Sequence, residues 1–271
     1  MSARPEHFAF RTPHSALIEY EPRFIEEAVF YAVRGRQGEP VFRAERDRLY
    51  EVGDPEAREA GFHAFHAAWF ERLNLGEGLD EALREQPSVA ANVTRCLVAS
   101  ASSSGDEGAE LFVSRESGQA GAQGRAVVIR LKPETLTLPD RLRLLLRHEL
   151  LHIADMLDSH FGYEPRLPAS AVDPARERLL RDRYRVLWDA YIDGRLARLG
   201  WAPAGARAVR LSEFKRAFPM LGEFTEMFFD RFFSATSFRH AELVAVVVEP
   251  EAVLRHPPEL HREPDASARA A

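Results

Sequence analysis

The spacing of hydrophobic positions along this chain changes period twice. After an extended start around His7–Tyr20, the first third carries apolar residues at helical spacing. Glu21-Pro22 opens a predicted helix from Arg23 to Arg34, which Gly35 and Gly38 stop. Asp54-Pro55-Glu56 supplies an oxygen acceptor at the N-cap, proline at the first helical position and an acid in the first turn. The helix it opens should reach about Leu73, with Phe62, Phe65, Trp69 and Leu73 on one face. His63 and His66 lie in the same helix with no third ligand close by, and read as surface or packing residues.

The period then shortens. Asn92–Ala101, Ala109–Arg115 and Arg125–Leu131 are short runs of Val, Ile, Leu, Phe and Thr, separated by the Ser- and Gly-rich stretches Ser102–Gly108 and Gly118–Gly124. They predict three strands in a meander. Helical spacing returns at Asp140–Asp158, and Phe161–Ala171 is a predicted loop. Asp173-Pro174 repeats the start signal for a helix to Leu199, stopped by Gly200. A third helical region follows Ser212, breaks at Pro219 and is dense in phenylalanine; a final apolar segment spans Phe238–Val248. The fold class expected is α+β, mostly helical, with a small sheet of about three strands beside the Asp140–Asp158 helix. Without an internal repeat or a clear linker, residues 1–249 read as one domain. Its helical N-terminal part is 1–90, its core 92–200 and its C-terminal helices 212–248, with a loose tail at 250–271.

Composition narrows the function. Thirty-six basic against 42 acidic residues give a net charge of −6, which argues against a dedicated nucleic-acid binder. Arg176–Arg185 is arginine-rich but also holds Glu177 and Asp182, so a solvated helix face is the better reading. One cysteine, Cys96, excludes an intramolecular disulfide and a cysteine-built metal site. No 18-residue apolar run and no apolar leader-like segment at Met1–His7 are present, so the expectation is a soluble, cytoplasmic protein without a membrane partner.

The chemistry concentrates in His148-Glu149-Leu150-Leu151-His152, an HExxH motif inside the apolar helical run Leu142–Leu157. Residues four apart share a helix face, so both imidazoles can reach one ion. Glu149, turned by about 100° from His148, can stand beside that ion and take a proton from bound water without being a ligand. An HExxH helix preceded by a Val/Ile strand resembles the zincin superfamily of zinc metallopeptidases over roughly residues 92–200. The resemblance implies one zinc ion held by His148 and His152, Glu149 as general base, and a peptide or protein substrate extended along the upstream edge strand.

The third ligand departs from the family patterns. A metzincin would carry Gly at 155 and His at 158, where this chain has Asp155 and Asp158. Asp158 is a candidate to replace that histidine, and Asp155, seven residues after His148 on nearly the same helix face, is a candidate ligand or, better, an orienting carboxylate. Gluzincins carry a ligand Glu and an Asp four residues later. Asp189 and Asp193, in Trp188-Asp189-Ala190-Tyr191-Ile192-Asp193, resemble that pair with aspartate for glutamate. Asp189 is then the ligand and Asp193 the orienting group, or the reverse. Alternatively both pair with Arg185 and Arg195 on a solvated face. Glu226, four residues before Asp230 in the phenylalanine-rich helix, is a further ligand candidate, and His240 a candidate for stabilising the transition state, as are Tyr163 and Tyr191. The function expected is zinc-dependent peptide hydrolysis. The alternative is a catalytically inactive zincin scaffold that binds a partner.

Overall fold

The computed structural model describes residues 10–11, 17–114, 124–167 and 173–251. The chain divides into two compact units, residues 1–157 and 158–271. The boundary falls directly after the HExxH helix, inside the stretch that the sequence reading treats as one core.

The first unit begins with β1 (Phe10–Arg11) and β2 (Ile18–Tyr20), followed by α1 (Pro22–Val33), α2 (Glu39–Asp47), α3 (Pro55–Arg72), α4 (Glu77–Glu85) and α5 (Pro87–Asn92). Then come β3 (Arg95–Ser100), β4 (Gly108–Ser114), β5 (Gly124–Leu131) and α6 (Pro139–Leu157). The start signal at Asp54 works as its chemistry predicts: its carboxylate accepts from Ala57 N–H at 3.0 Å, closing one of the orphan donors of α3.

The mostly helical α+β class holds, whereas the strand count and order differ from the expected meander. Among the described residues the sheet has five strands in the order β1-β2-β3-β5-β4. β3 runs parallel to both β2 and β5, and β4 is antiparallel to β5. Burial explains the order. Cys96 and Val98 of β3 and Val127, Ile129 and Leu131 of β5 are buried in alternation, so these two strands pair in the sheet interior. β4, with Phe112 and Val113 about half exposed, takes the edge. Ile18-Glu19-Tyr20 is only three residues long, too short to show a period, yet all three are buried and Glu19 is bridged to Arg95 at 2.7 Å.

The core of this unit joins the sheet to Phe24, Ile25, Ala28 and Val29 of α1 and to Leu142, Leu146, Leu150 and Ile153 of α6. Two charge clusters tie α6 in place. Glu107, its side chain almost fully buried, accepts from Lys132 N–H at 3.0 Å, from the Thr135 hydroxyl at 2.6 Å and from Arg141 at 2.5 Å. Arg147 makes a two-pronged bond to Glu85 of α4, at 2.6 and 2.7 Å.

The second unit is helical: α7 (Pro174–Arg198), α8 (Ala206–Ala217), α9 (Thr225–Phe233) and α10 (His240–Val248). Asp173 caps α7 by accepting from Ala175 N–H at 2.9 Å. α8 starts at Ala206, six residues before the expected Ser212, behind Gly205 at φ +82°. Phe214, Phe218, Phe229 and Phe232 form its aromatic core. Gly194 lets α7 and α9 touch, because a Cβ there would lie 1.8 Å from the Phe233 carbonyl oxygen. Among the described residues no helix is long and apolar enough to cross a membrane. The tail beyond 251 and residues 168–171 of the expected loop lie outside the described residues.

Candidate metal centre

The apolar residues of α6 recur so that Leu142, Leu146, Leu150 and Ile153 share the core face. At 100° per residue, this turns His148 and His152 to the far side of the helix, where both are half-buried. Their Nε2 atoms lie 3.2 Å apart. Without a metal that separation is a ring-to-ring hydrogen bond whose donor depends on the tautomer. It also matches the edge of a zinc tetrahedron: two nitrogens at about 2.0–2.1 Å from one ion stand about 3.3 Å apart. The spacing of the two nitrogens is thus that of two ligands on one zinc ion.

Glu149 leans the other way, toward the sheet edge. Its Oε2 accepts from Ala109 N–H of β4 at 3.0 Å. The neighbouring residue permits this: a Cβ on Gly108 would lie 3.2 Å from the same oxygen. An outward-facing donor of the edge strand thus holds the carboxylate through its backbone, and the absence of a side chain at Gly108 leaves room for it. Sequence reasoning missed both residues, because it placed Gly108 in a turn and a backbone donor has no side-chain signature.

Asp155 is buried on α6, at 6% exposure. Asp158 instead closes a local turn, accepting from His160 N–H at 2.8 Å.

In the second unit, Asp189 and Asp193 stand one turn apart on α7 and share a cation. Arg210 of α8 donates to Asp193 Oδ2 at 2.6 Å, to Asp189 Oδ2 at 3.3 Å and to Glu213 at 2.8 Å. Burial works against the Arg210 charge, but Asp189 and Asp193 outweigh it and hold its pKa above the ordinary guanidinium range. Arg210 was not foreseen, since only the α7–α8 packing brings it to the aspartates. Glu226 and Asp230 lie on the outer side of α9 and both bridge to Arg207, at 3.2 and 2.6 Å. His240 is buried among Phe161, Tyr163, Tyr184 and Trp188, and its Nδ1 shares a 2.7 Å hydrogen bond with the Tyr184 hydroxyl. Burial lowers its pKa, while Glu164 acts to raise it. Trp188 stacks on Phe161 and Tyr163, completing the aromatic packing in which His240 sits.

Comparison of the chain with protein-family models, curated proteins and solved structures finds no match in any of the three.

Proposed function

We propose that this chain is a zinc-dependent metallopeptidase of zincin type. The observation that carries the reading is the pair of imidazole nitrogens 3.2 Å apart on one helix face, with Glu149 next to His148 in sequence and its carboxylate on Ala109 N–H. His148 and His152 supply two ligands. Asp189 is the carboxylate we propose as third ligand, with Asp193 and Glu226 as its competitors and Asp155 as an orienting group. A bound zinc ion would supply Lewis acidity toward a peptide carbonyl and lower the pKa of a bound water to about 7.

Glu149 takes the proton from the attacking water and passes it to the leaving amine. Its hold on Ala109 N–H keeps the carboxylate at the edge strand. Among the described strands β4 forms one sheet edge, along which an extended peptide can add by main-chain hydrogen bonds.

Metal content per chain, measured on purified protein and on His148→Ala, Asp189→Ala, Asp193→Ala and Glu226→Ala, tests the site. One zinc per chain, lost with His148 and with Asp189 only, is the expected result. Glu149→Gln should keep the zinc and abolish peptide hydrolysis; retained hydrolysis would sink the mechanism. Zinc held by a wild type that cleaves nothing across a broad peptide library would favour a partner-binding scaffold instead.

A further inference from the structure

The first unit contains a cavity of about 540 Å³ whose lining includes no residue of α6. One wall comes from Phe42 of α2 and from Phe62 and His66 of α3, whose rings pack on one another. The lining also takes in the outer face of α1. Phe24, Ile25, Ala28, Val29, Ala32 and Val33 are buried in the core, so Glu26, Phe30, Tyr31 and Arg34 face away from it. Phe30, Tyr31 and Tyr50 remain 47%, 45% and 61% exposed around the cavity. Exposed aromatics gathered on one concavity, rather than scattered singly, are the mark of a ligand site, and the volume is of small-ligand size.

Charge along this wall is ordered. Glu27 is matched by Arg23 at 3.0 Å and Arg46 by Asp47 at 2.8 Å. Glu26, in the second turn of α1, and Arg34, its C-cap, both line the cavity and are eight residues, hence about 12 Å, apart along the axis. Glu26 acts electrostatically on His66, and Arg34 on Glu39. His66 is 6% exposed. Burial holds its pKa below the ordinary value, and a ring N–H bonds the Phe62 carbonyl. The neutral ring therefore keeps its other nitrogen as an acceptor.

We propose that this cavity binds a short peptide with free termini, about three residues long, carrying an aromatic side chain at its centre. An extended tripeptide spans about 10 Å, which brings its ammonium to Glu26 and its carboxylate to Arg34. The central ring fills the space between Phe30 and the Phe42–Phe62 wall, and a peptide N–H meets the acceptor nitrogen of His66. A single amino acid is too short to reach both charges. The site does not depend on the metal, and none of its residues belongs to the proposed zinc chemistry.

Calorimetric titration with Gly-Phe-Gly, in EDTA and in the Glu149→Gln chain, tests this without cleavage or metal binding. One saturable site is expected, weakened about tenfold by N-acetylation and about tenfold by C-amidation of the peptide. Glu26→Gln should erase the penalty for acetylation, Arg34→Gln the penalty for amidation, and Phe30→Ala should weaken all forms about fivefold. Glu26 and Phe30 are exposed on α1 and Arg34 is exposed at its C-cap, and circular dichroism checks that each variant folds. No saturable binding, binding unchanged by all three substitutions, or equal binding of free phenylalanine would each overturn the proposal. The result is independent of whether the chain hydrolyses peptides.

Discussion

Two helices of this protein each carry a pair of side chains one turn apart, and each pair converges in its own way. On α6 the pair is His148 and His152, whose Nε2 atoms approach to 3.2 Å. On α7 the pair is Asp189 and Asp193, which Arg210 bonds at once. Four-residue spacing brings the groups together in both cases. Their chemistry then sets the outcome. Neutral imidazoles tolerate each other's company and can share a proton or an ion, whereas two carboxylates repel and need a cation between them. A spacing alone therefore does not announce a metal site; the charge state of the paired groups has to be read with it.

The contrast can be broken by substitution, beginning with the backbone that shapes the second unit. Gly194→Ala should have the largest effect, since a Cβ 1.8 Å from the Phe233 carbonyl oxygen forces α7 and α9 apart. A loss of at least about 4 kcal/mol, or failure to fold, is expected in urea unfolding. Arg210→Met should come next, at about 3–5 kcal/mol, because it takes a shared cation away from two largely buried carboxylates. Adding Asp189→Asn and Asp193→Asn should recover most of that loss. The matching change on α6, His148→Ala with His152→Ala in EDTA, should cost no more than about 1 kcal/mol. Equal losses from the two pairs would erase the distinction between them.

Gly108→Ala should cost about 1 kcal/mol by crowding Glu149 off Ala109 N–H, and should lower hydrolysis while leaving zinc bound. The smallest effect is acid sensitivity. Burial depresses the pKa of His66 in the first unit and His240 in the second. The unfolded chain then binds more protons as pH falls below about 6.5, so stability present above that value is lost on acidification. The double variant His66→Gln, His240→Gln should show a flatter dependence of unfolding free energy on pH between neutral and mildly acid conditions.

Much of the architecture was legible because its signals are local. Asp54 and Asp173 announced α3 and α7 through capping chemistry that needs only neighbouring residues. The HExxH spacing already implied that two imidazoles share a face. His63 and His66, read together as surface or packing residues, divide into one of each: His63 is exposed and His66 buried. Strand order was not legible, since β3 and β5 are separated in sequence by β4 yet pair in the sheet interior. Which strand becomes the edge depends on burial against helices that the strand sequence does not contain.

The amino-acid sequence by itself determined α1, α3, α6 and α7, the mostly helical α+β class and the shared face of His148 and His152, all consequences of residue type at short spacing. Only the tertiary structure decided that Ala109 N–H holds Glu149, that Arg210 bridges Asp189 and Asp193, and that Phe30, Tyr31 and Tyr50 gather around one cavity. The reason is physical. A backbone donor, a cation 17 residues beyond its partner and an aromatic wall built from separate elements become neighbours through packing alone, and packing is a property of the whole core rather than of any segment within it.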